Sequence, residues 1–218
     1  MTLAPPASAA PQAPATDLEP LVLPPGLKLS PEQFALVCVA NPEAVLELTA
    51  AGQVMAMTPT GGETGGRNNL LSTRLQVWAL GQGGWKVFDS STGFRLPDGS
   101  VLSPDAAVLR LERWQALTPE QRRGFPPLCP DLLVELVSPS DEGPRGSEAL
   151  RRKMAAYQAN GAQLGWLLFP EQRAVEIWQP GADPASPVAM ERIEAAEALE
   201  GGELLPGLRL ELVEIWEG

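Results

Sequence analysis

The sequence has 218 residues, of which 44% are hydrophobic, and it carries a formal net charge of −11. This length supports one well-filled core, so we expect one folded domain. The chain contains no histidine, which excludes Ser-His-Asp and Cys-His catalytic systems and zinc sites that depend on imidazole. Any acid–base chemistry must therefore come from carboxylates, lysine or tyrosine. Cys38 and Cys129 lie far apart in no CxxC pattern, which argues against a disulfide framework or a cysteine zinc site.

The first residues of the chain differ in composition from the rest. Residues 1–27 are rich in Pro and Ala and show no hydrophobic periodicity, so we expect a disordered tail followed by a single domain over residues 28–218. No apolar run approaches the roughly 20 residues that cross a bilayer, and the start lacks a basic segment before a compact apolar one. We therefore expect neither secretion nor membrane insertion, and two isolated cysteines fit the cytoplasm.

The first third of the sequence predicts a short helix, a hairpin and a longer helix. Ser30 and Gln33 have the spacing of a capping box, with Pro31 at the first helical position and Asn41 before a proline as the stop. Residues 45–48 and 54–57 predict the two strands of a hairpin. A Gly-rich loop follows, and the apolar spacing over residues 65–80 predicts a helix that lies on a sheet.

The remainder predicts an antiparallel or mixed sheet with further helices. Strands are predicted over residues 85–88, 93–96, 101–108, 132–137, 164–169 and 174–178. Thr118 and Gln121 predict one helix start, and another helix is predicted from residue 147 or 148 to Asn160. The strand over residues 132–137 is apolar except for Glu135, which is typical of a central strand buried on both faces.

Three separated positions, Asp105, Glu135 and Lys153, together indicate a metal-dependent site. Two carboxylates on neighbouring strands can hold Mg²⁺ or Mn²⁺, and a nearby ammonium can orient a water or stabilise the charge that develops on a phosphate. A buried carboxylate such as Glu135 needs a metal or a cationic side chain as its partner. Lys153 lies beside the apolar stripe of its helix and can reach back towards the strand.

The net charge of −11 argues against strong nonspecific binding of nucleic acid, because such binding neutralises phosphates with Lys and Arg. Net charge does not describe a local site, however. The sequence contains a basic cluster that consists of Arg145, Arg151, Arg152 and Lys153. We therefore retain the hypothesis of a small basic cleft on an acidic protein.

Seven segments resemble, in the same order, segments of the "putative restriction endonuclease" family that is common in cyanobacteria and belongs to the PD-(D/E)XK nuclease superfamily. The likeness covers residues 28–216 of the sequence. The segments are residues 62–65 (GETG), 90–97 (SSTGFRLP), 103–107 (SPDAA), 130–135 (PDLLVE), 138–141 (SPSD), 153–154 (KM) and 164–167 (LGWL).

The resemblance implies an α/β (α+β) fold with a restriction-endonuclease-like mixed β-sheet flanked by helices. Asp105 stands where the family's PD motif has its metal-binding aspartate, and Glu135 stands where the second carboxylate lies. A strict motif would place the lysine two residues after Glu135, but this sequence has Val137 there, so Lys153 is implied as the displaced lysine.

The resemblance also implies a divalent-metal-dependent endonuclease that hydrolyses phosphodiester bonds in DNA, with Mg²⁺ or Mn²⁺ and no organic cofactor. Glu63 is implied as a further catalytic residue that binds the metal or water, and Asn69 as a residue that lines the pocket. A homodimer is expected, since each site of such an enzyme cuts one strand.

Other readings of these residues remain open. Asp105 can serve only to start a strand, Glu135 can be a structural acid paired with Arg152, and Lys153 can lie on the surface. A second hypothesis is a catalytically weak or inactive protein of nuclease fold that binds partners. A third is a sheet protein whose acidic pocket holds a cation structurally.

Overall fold

The computed structural model of the protein describes residues 23–24, 26–141, 143–183 and 186–218. The expected tail over residues 1–27 lies outside the described residues, apart from positions 23, 24, 26 and 27. Within the part of the chain that the structure describes, no helix is both long enough and apolar enough to cross a bilayer.

The N-terminal third contains two helices and a hairpin. Helix α1 (Pro31–Ala40) begins at the predicted capping box, in which Ser30 accepts from the backbone of Gln33 and the Gln33 side chain accepts from the backbone of Ser30. Strands β1 (Val45–Leu48) and β2 (Val54–Met57) form the predicted hairpin. Helix α2 (Gly62–Gln82) starts three residues before the predicted position, because its first turn includes glycines that we expected to belong to a loop.

The other elements follow in chain order. They are β3 (Trp85–Asp89), β4 (Phe94–Arg95), β5 (Val101–Leu102), β6 (Ala106–Arg110), α3 (Leu111–Gln115), α4 (Pro119–Arg123), β7 (Leu132–Leu136), α5 (Pro144–Ala159), β8 (Leu164–Phe169), β9 (Ala174–Asp183), β10 (Ser186–Ile193), β11 (Ala198–Glu200), β12 (Arg209–Glu211) and α6 (Val213–Glu217). Helix α4 has the predicted cap at Thr118. Short 3₁₀ turns lie at Pro139–Asp141 and Pro170–Gln172.

A six-stranded mixed sheet, in the order β10-β9-β8-β7-β6-β3, forms the centre of the fold. Strands β7 and β8 are parallel and are joined through α5, whereas the other neighbours are antiparallel. A parallel pair requires such a crossover connection. A smaller sheet has the order β2-β1-β5-β4, and β11 pairs with β12. The predicted α/β fold with helices flanking a mixed sheet is confirmed.

The central sheet packs between two layers. Along β7, Leu132, Val134 and Leu136 face a core shared with Leu71 and Leu75 of α2. Residues on the opposite face pack in a second core, which contains Leu133 of β7 and Met154 and Tyr157 of α5. The alternation expected of a strand buried on both faces therefore holds, and it directs Glu135 towards α5.

The prediction of one strand over residues 101–108 is wrong. The chain leaves the small sheet after β5 and enters the central sheet at β6. Pro104 has no backbone N–H to donate to a ladder, and the N–H of Ser103 donates to the Glu47 side chain instead (2.8 Å). Asp105 consequently lies at the junction of the two sheets rather than inside a strand.

The C-terminal region contains structure that was not predicted. Strand β9 continues to Asp183 instead of ending at Trp178, and β10, β11, β12 and α6 follow it. Helix α6 contributes Ile215 and Trp216 to the core that also contains α2. This segment closes the α2 face of the central sheet.

Candidate active site

Strand pairing fixes the position of Asp105 relative to Glu135. Strands β6 and β7 are neighbours and antiparallel, with Ala106 opposite Val134. Asp105, the residue before β6, therefore lies across from Glu135. One oxygen of Asp105 accepts from the backbone N–H of Leu136 (2.7 Å), and the other accepts from Nδ2 of Asn68 on α2 (2.8 Å). The carboxyl group is therefore held from two directions, by the sheet and by a helix.

Glu135 is nearly inaccessible, with 3% of its surface exposed. Its Oε1 atom lies 2.9 Å from Nζ of Lys153 and accepts a hydrogen bond from the hydroxyl of Tyr157 (3.1 Å). Both partners come from α5, where Tyr157 follows Lys153 by one helical turn. The partner of Glu135 is thus Lys153 rather than the alternative Arg152, which is exposed.

Lys153 joins three elements of the fold. Its Nζ atom contacts Oε1 of Glu135 (2.9 Å) and Oε1 of Glu47 (2.9 Å), and it donates to the carbonyl of Ser103 (3.0 Å). The side chain is only 12% exposed, so the reading of Lys153 as a surface residue is wrong. An ammonium has three protons to donate, and these three acceptors match that number.

Glu47 is the member of this cluster that sequence reasoning missed. It lies on β1, is 2% exposed, and accepts the N–H of Ser103 as well as the ion pair with Lys153. In the sequence it follows the apolar Leu46 in a short hairpin strand and looks like a residue that alternates towards solvent. It lies against Ser103 and Lys153, and in the sequence only its position in an otherwise apolar strand could have indicated its burial.

Burial governs the protonation of the cluster. It raises the pKa of Glu135 to about 8, although the Lys153 ammonium pulls in the opposite direction. Burial likewise raises the pKa of Asp105, opposed by the Leu136 N–H and by Lys153. For Lys153, burial would lower the pKa, but the Glu135 and Glu47 carboxylates outweigh it and hold the pKa above its ordinary value. Lys153 therefore stays charged throughout the pH range in which Glu135 titrates.

Two of the residues implied by the resemblance lie in exposed positions. Glu63 is on the first turn of α2, where it lines a surface pocket of about 340 Å³ with Ser138 and Pro139. Asn69 is exposed as well, and its neighbour Asn68 makes the contact with Asp105. One step along a helix turns a side chain by about 100°, so Asn68 is half-buried beside Asp105 whereas Asn69 is exposed.

Asp131 and Ser138, which belong to the resembling segments 130–135 and 138–141, have structural contacts. Asp131, on the face of Glu135 but at the far end of β7, pairs with Arg113 (2.7 Å) and accepts from the backbone of Arg110 (2.8 Å). Ser138 donates to Asp141 within the 3₁₀ turn (2.5 Å). These contacts place Asp131 at the entry of the strand and Ser138 in a capped turn.

The donor set around Asp105 is suited to a hard divalent cation. The described residues contain no group of three or more His, Cys, Asp or Glu side chains placed to hold a metal ion. Asp105 and Glu135 nevertheless supply carboxylate oxygens, and the buried Oδ1 of Asn68 has no hydrogen-bond partner among the described residues. Oxygen donors of this kind suit Mg²⁺ and Mn²⁺, so the residues fit such an ion by their chemistry.

The mixed sheet and its flanking helices form a restriction-endonuclease-like fold. A solved structure with the same fold is that of a "putative nuclease belonging to DUF820" from Anabaena variabilis. It superposes with a TM-score of 0.66 at 16% identity, covering 87% of this chain and 98% of that chain. No curated protein matches the sequence.

The sequence model of the Uma2 family, described as "Putative restriction endonuclease", matches residues 31–213. The chain belongs to the Uma2 family. The resemblance drawn from the seven sequence segments is thereby confirmed.

Proposed function

We propose that the protein is a divalent-metal-dependent endonuclease that hydrolyses phosphodiester bonds in DNA. The observation that carries the proposal is the buried cluster in which the Lys153 ammonium lies between Glu135 and Glu47. Asp105, just before β6, lies across from Glu135 of β7. Metal-dependent phosphodiester hydrolysis uses metal-binding carboxylates, and a positive charge within reach of the same phosphate assists it. Membership of the Uma2 family supports this assignment.

In this proposal, Asp105 and Glu135 hold Mg²⁺ or Mn²⁺, which supplies Lewis acidity and an activated water when bound. The N–H of Leu136 and the amide of Asn68 keep the Asp105 carboxyl group in one orientation. Tyr157 orients Glu135 through its hydroxyl group. Lys153 keeps its proton and stabilises the negative charge that develops on the phosphate oxygens.

Glu135 must lose its proton before it can act as a metal ligand. With a pKa of about 8, its carboxyl group is largely protonated near pH 7, so binding of a divalent cation by Glu135 would require the loss of that proton. The Lys153 ammonium favours the ionised form of Glu135, so it lowers the free energy needed to remove this proton.

A second candidate is a nuclease-fold protein that binds partners without cutting nucleic acid. The observation in its favour is that all three acceptors of Lys153 belong to the protein itself, so the lysine already acts as a structural link between α5 and both sheets. The net charge of −11 points the same way.

Cleavage of supercoiled plasmid and of short single-stranded DNA distinguishes the two candidates. The purified protein is incubated with Mg²⁺ or Mn²⁺, with an EDTA control and an Asp105→Ala variant purified in the same way. Glu203→Ala, which removes an exposed acid on a C-terminal turn, is the matched control for loss of one negative charge. The endonuclease nicks plasmid only with metal and loses this activity in Asp105→Ala alone.

If neither DNA is cut, or if Asp105→Ala cuts as well as the unmodified chain, the catalytic proposal is wrong.

The same assay tests Glu63: a Glu63→Gln variant should cut DNA more slowly if Glu63 binds metal or water. A homodimer in the cytoplasm, which cuts the two strands with its two sites, completes the proposal.

A further inference from the structure

The amide group of Asn68 is only half satisfied. Its Nδ2 atom donates to Oδ1 of Asp105 (2.8 Å), whereas its buried Oδ1 atom has no hydrogen-bond partner among the described residues. Leaving a buried acceptor without a partner costs about 1–3 kcal/mol. Such an atom in a folded protein calls for an explanation, and an ion is one of the usual ones.

The orientation of this amide follows from its neighbours. A rotated amide would bring its oxygen against the Asp105 oxygen that now accepts from Nδ2, and two acceptors repel each other. The other Asp105 oxygen is already held by the N–H of Leu136. Asn68 thus has its nitrogen on Asp105 and leaves its oxygen beside the same carboxyl group.

We propose that Oδ1 of Asn68 is a third protein oxygen ligand of the divalent cation held by Asp105 and Glu135. This inference rests on the proposed function. Amide carbonyl oxygens are common ligands of hard cations. A neutral ligand also suits this cluster, because Glu47, Glu135 and Asp105 already bring three carboxyl groups close to one ammonium.

A competing explanation is that Asn68 only positions Asp105 by its hydrogen bond. Two substitutions separate the two roles. Asn68→Ala removes both the oxygen and the N–H donor, whereas Asn68→Asp keeps an oxygen at the same place but cannot donate when ionised. Gln76→Ala, which removes an amide from an exposed position about two turns further along α2, is the matched control.

The probe is Mn²⁺ alone, titrated calorimetrically into each metal-free protein without nucleic acid. As a ligand, Asn68 should leave Asn68→Ala with Mn²⁺ affinity at least about tenfold weaker, the lower end of what even outer-shell substitutions cost. Asn68→Asp should stay within about threefold of the unmodified chain or bind more tightly, because an anionic oxygen replaces a neutral one. Gln76→Ala should leave the Mn²⁺ affinity unchanged.

Equal weakening in Asn68→Asp and Asn68→Ala would overturn the ligand assignment in favour of a positioning role. Unchanged affinity in Asn68→Ala would also overturn it, while leaving the proposed function intact if Asp105→Ala abolishes Mn²⁺ binding. Absence of Mn²⁺ binding by the unmodified protein would overturn both proposals.

Circular dichroism of each metal-free variant establishes that it is folded. If Asn68→Ala does not fold, Asn68→Leu replaces it, because this nearly isosteric apolar side chain also lacks both the oxygen and the N–H donor. Weakened Mn²⁺ binding by a folded Asn68→Leu, with affinity retained in Asn68→Asp, then supports the assignment, and affinity in Asn68→Leu equal to that of the unmodified chain overturns it.

Discussion

Replacing Lys153 by methionine keeps most of the side-chain volume but removes the ammonium that Glu47, Glu135 and the Ser103 carbonyl share. Both carboxyl groups are almost fully buried, at 2% and 3% exposure. Breaking a buried ion pair from one side typically costs about 3–5 kcal/mol, because the remaining charge stays desolvated. Glu135, with a pKa of about 8, is already largely protonated at pH 7, so the cost comes mainly from the broken Glu47–Lys153 pair and we expect a loss of about 3 kcal/mol, the lower end of that range.

Urea unfolding at pH 7, extrapolated linearly to water, measures this loss. Arg152→Met is the matched control: it removes a positive charge from the adjacent, exposed position of α5, and its free energy of unfolding should change by less than about 0.5 kcal/mol. The deficit of Lys153→Met should be smaller at pH 5.5 than at pH 8.5, since a neutral Glu135 needs no cation. A loss below about 1 kcal/mol, or one equal to the control, would refute the buried-cluster reasoning.

Three further predictions concern the same region. The folded-state pKa of Glu135 is raised from 4.5 to about 8, so its contribution to stability is complete below pH 4.5 and is lost as pH rises through about 8. In Glu135→Gln, the free energy of unfolding measured in urea should therefore fall with pH by a few kcal/mol less than in the unmodified chain. The same dependence of this free energy on pH in both proteins would contradict the raised pKa. Tyr157→Phe, which removes the only tyrosine hydroxyl, should lower the free energy of unfolding by about 1–3 kcal/mol; a neutral effect would mean that the bond to Glu135 contributes nothing. Gly146→Ala should destabilise the start of α5, because a Cβ there would overlap the Asp141 backbone; thermal unfolding at an unchanged temperature would argue against this close approach.

Glu135 and Lys153 could be located from the sequence because each lies in a strongly patterned element, whereas Asp105 lies between β5 and β6 and could be placed only by its resemblance to the family segment. Glu135 interrupts an apolar strand, and the alternation along β7 fixes its face. Lys153 lies beside the stripe that contains Met154 and Tyr157, both fully buried against the sheet. The contact between them follows from two local periodicities and one crossover connection.

Glu47 and Asn68 could not be located in this way, because tertiary packing determines their roles. Glu47 is buried only because the chain at Ser103 passes from the small sheet to the central one. Asn68 and Asn69 are adjacent positions of α2. Because the helix begins with several glycines, the sequence does not show which of the two faces the sheet. Strands β11 and β12 could not be predicted because each has only three residues and little apolar periodicity.

Diffraction from crystals grown with Mn²⁺, recorded to show the anomalous signal of the metal, tests the central claim most directly. The account predicts one strong peak within ligand distance of the Asp105 and Glu135 carboxylates, and no such peak in Asp105→Ala crystals grown in the same way. A cluster that still holds Lys153 between Glu47 and Glu135, with no anomalous peak beside Asp105 at saturating Mn²⁺, would contradict it and leave a nuclease fold without a metal centre.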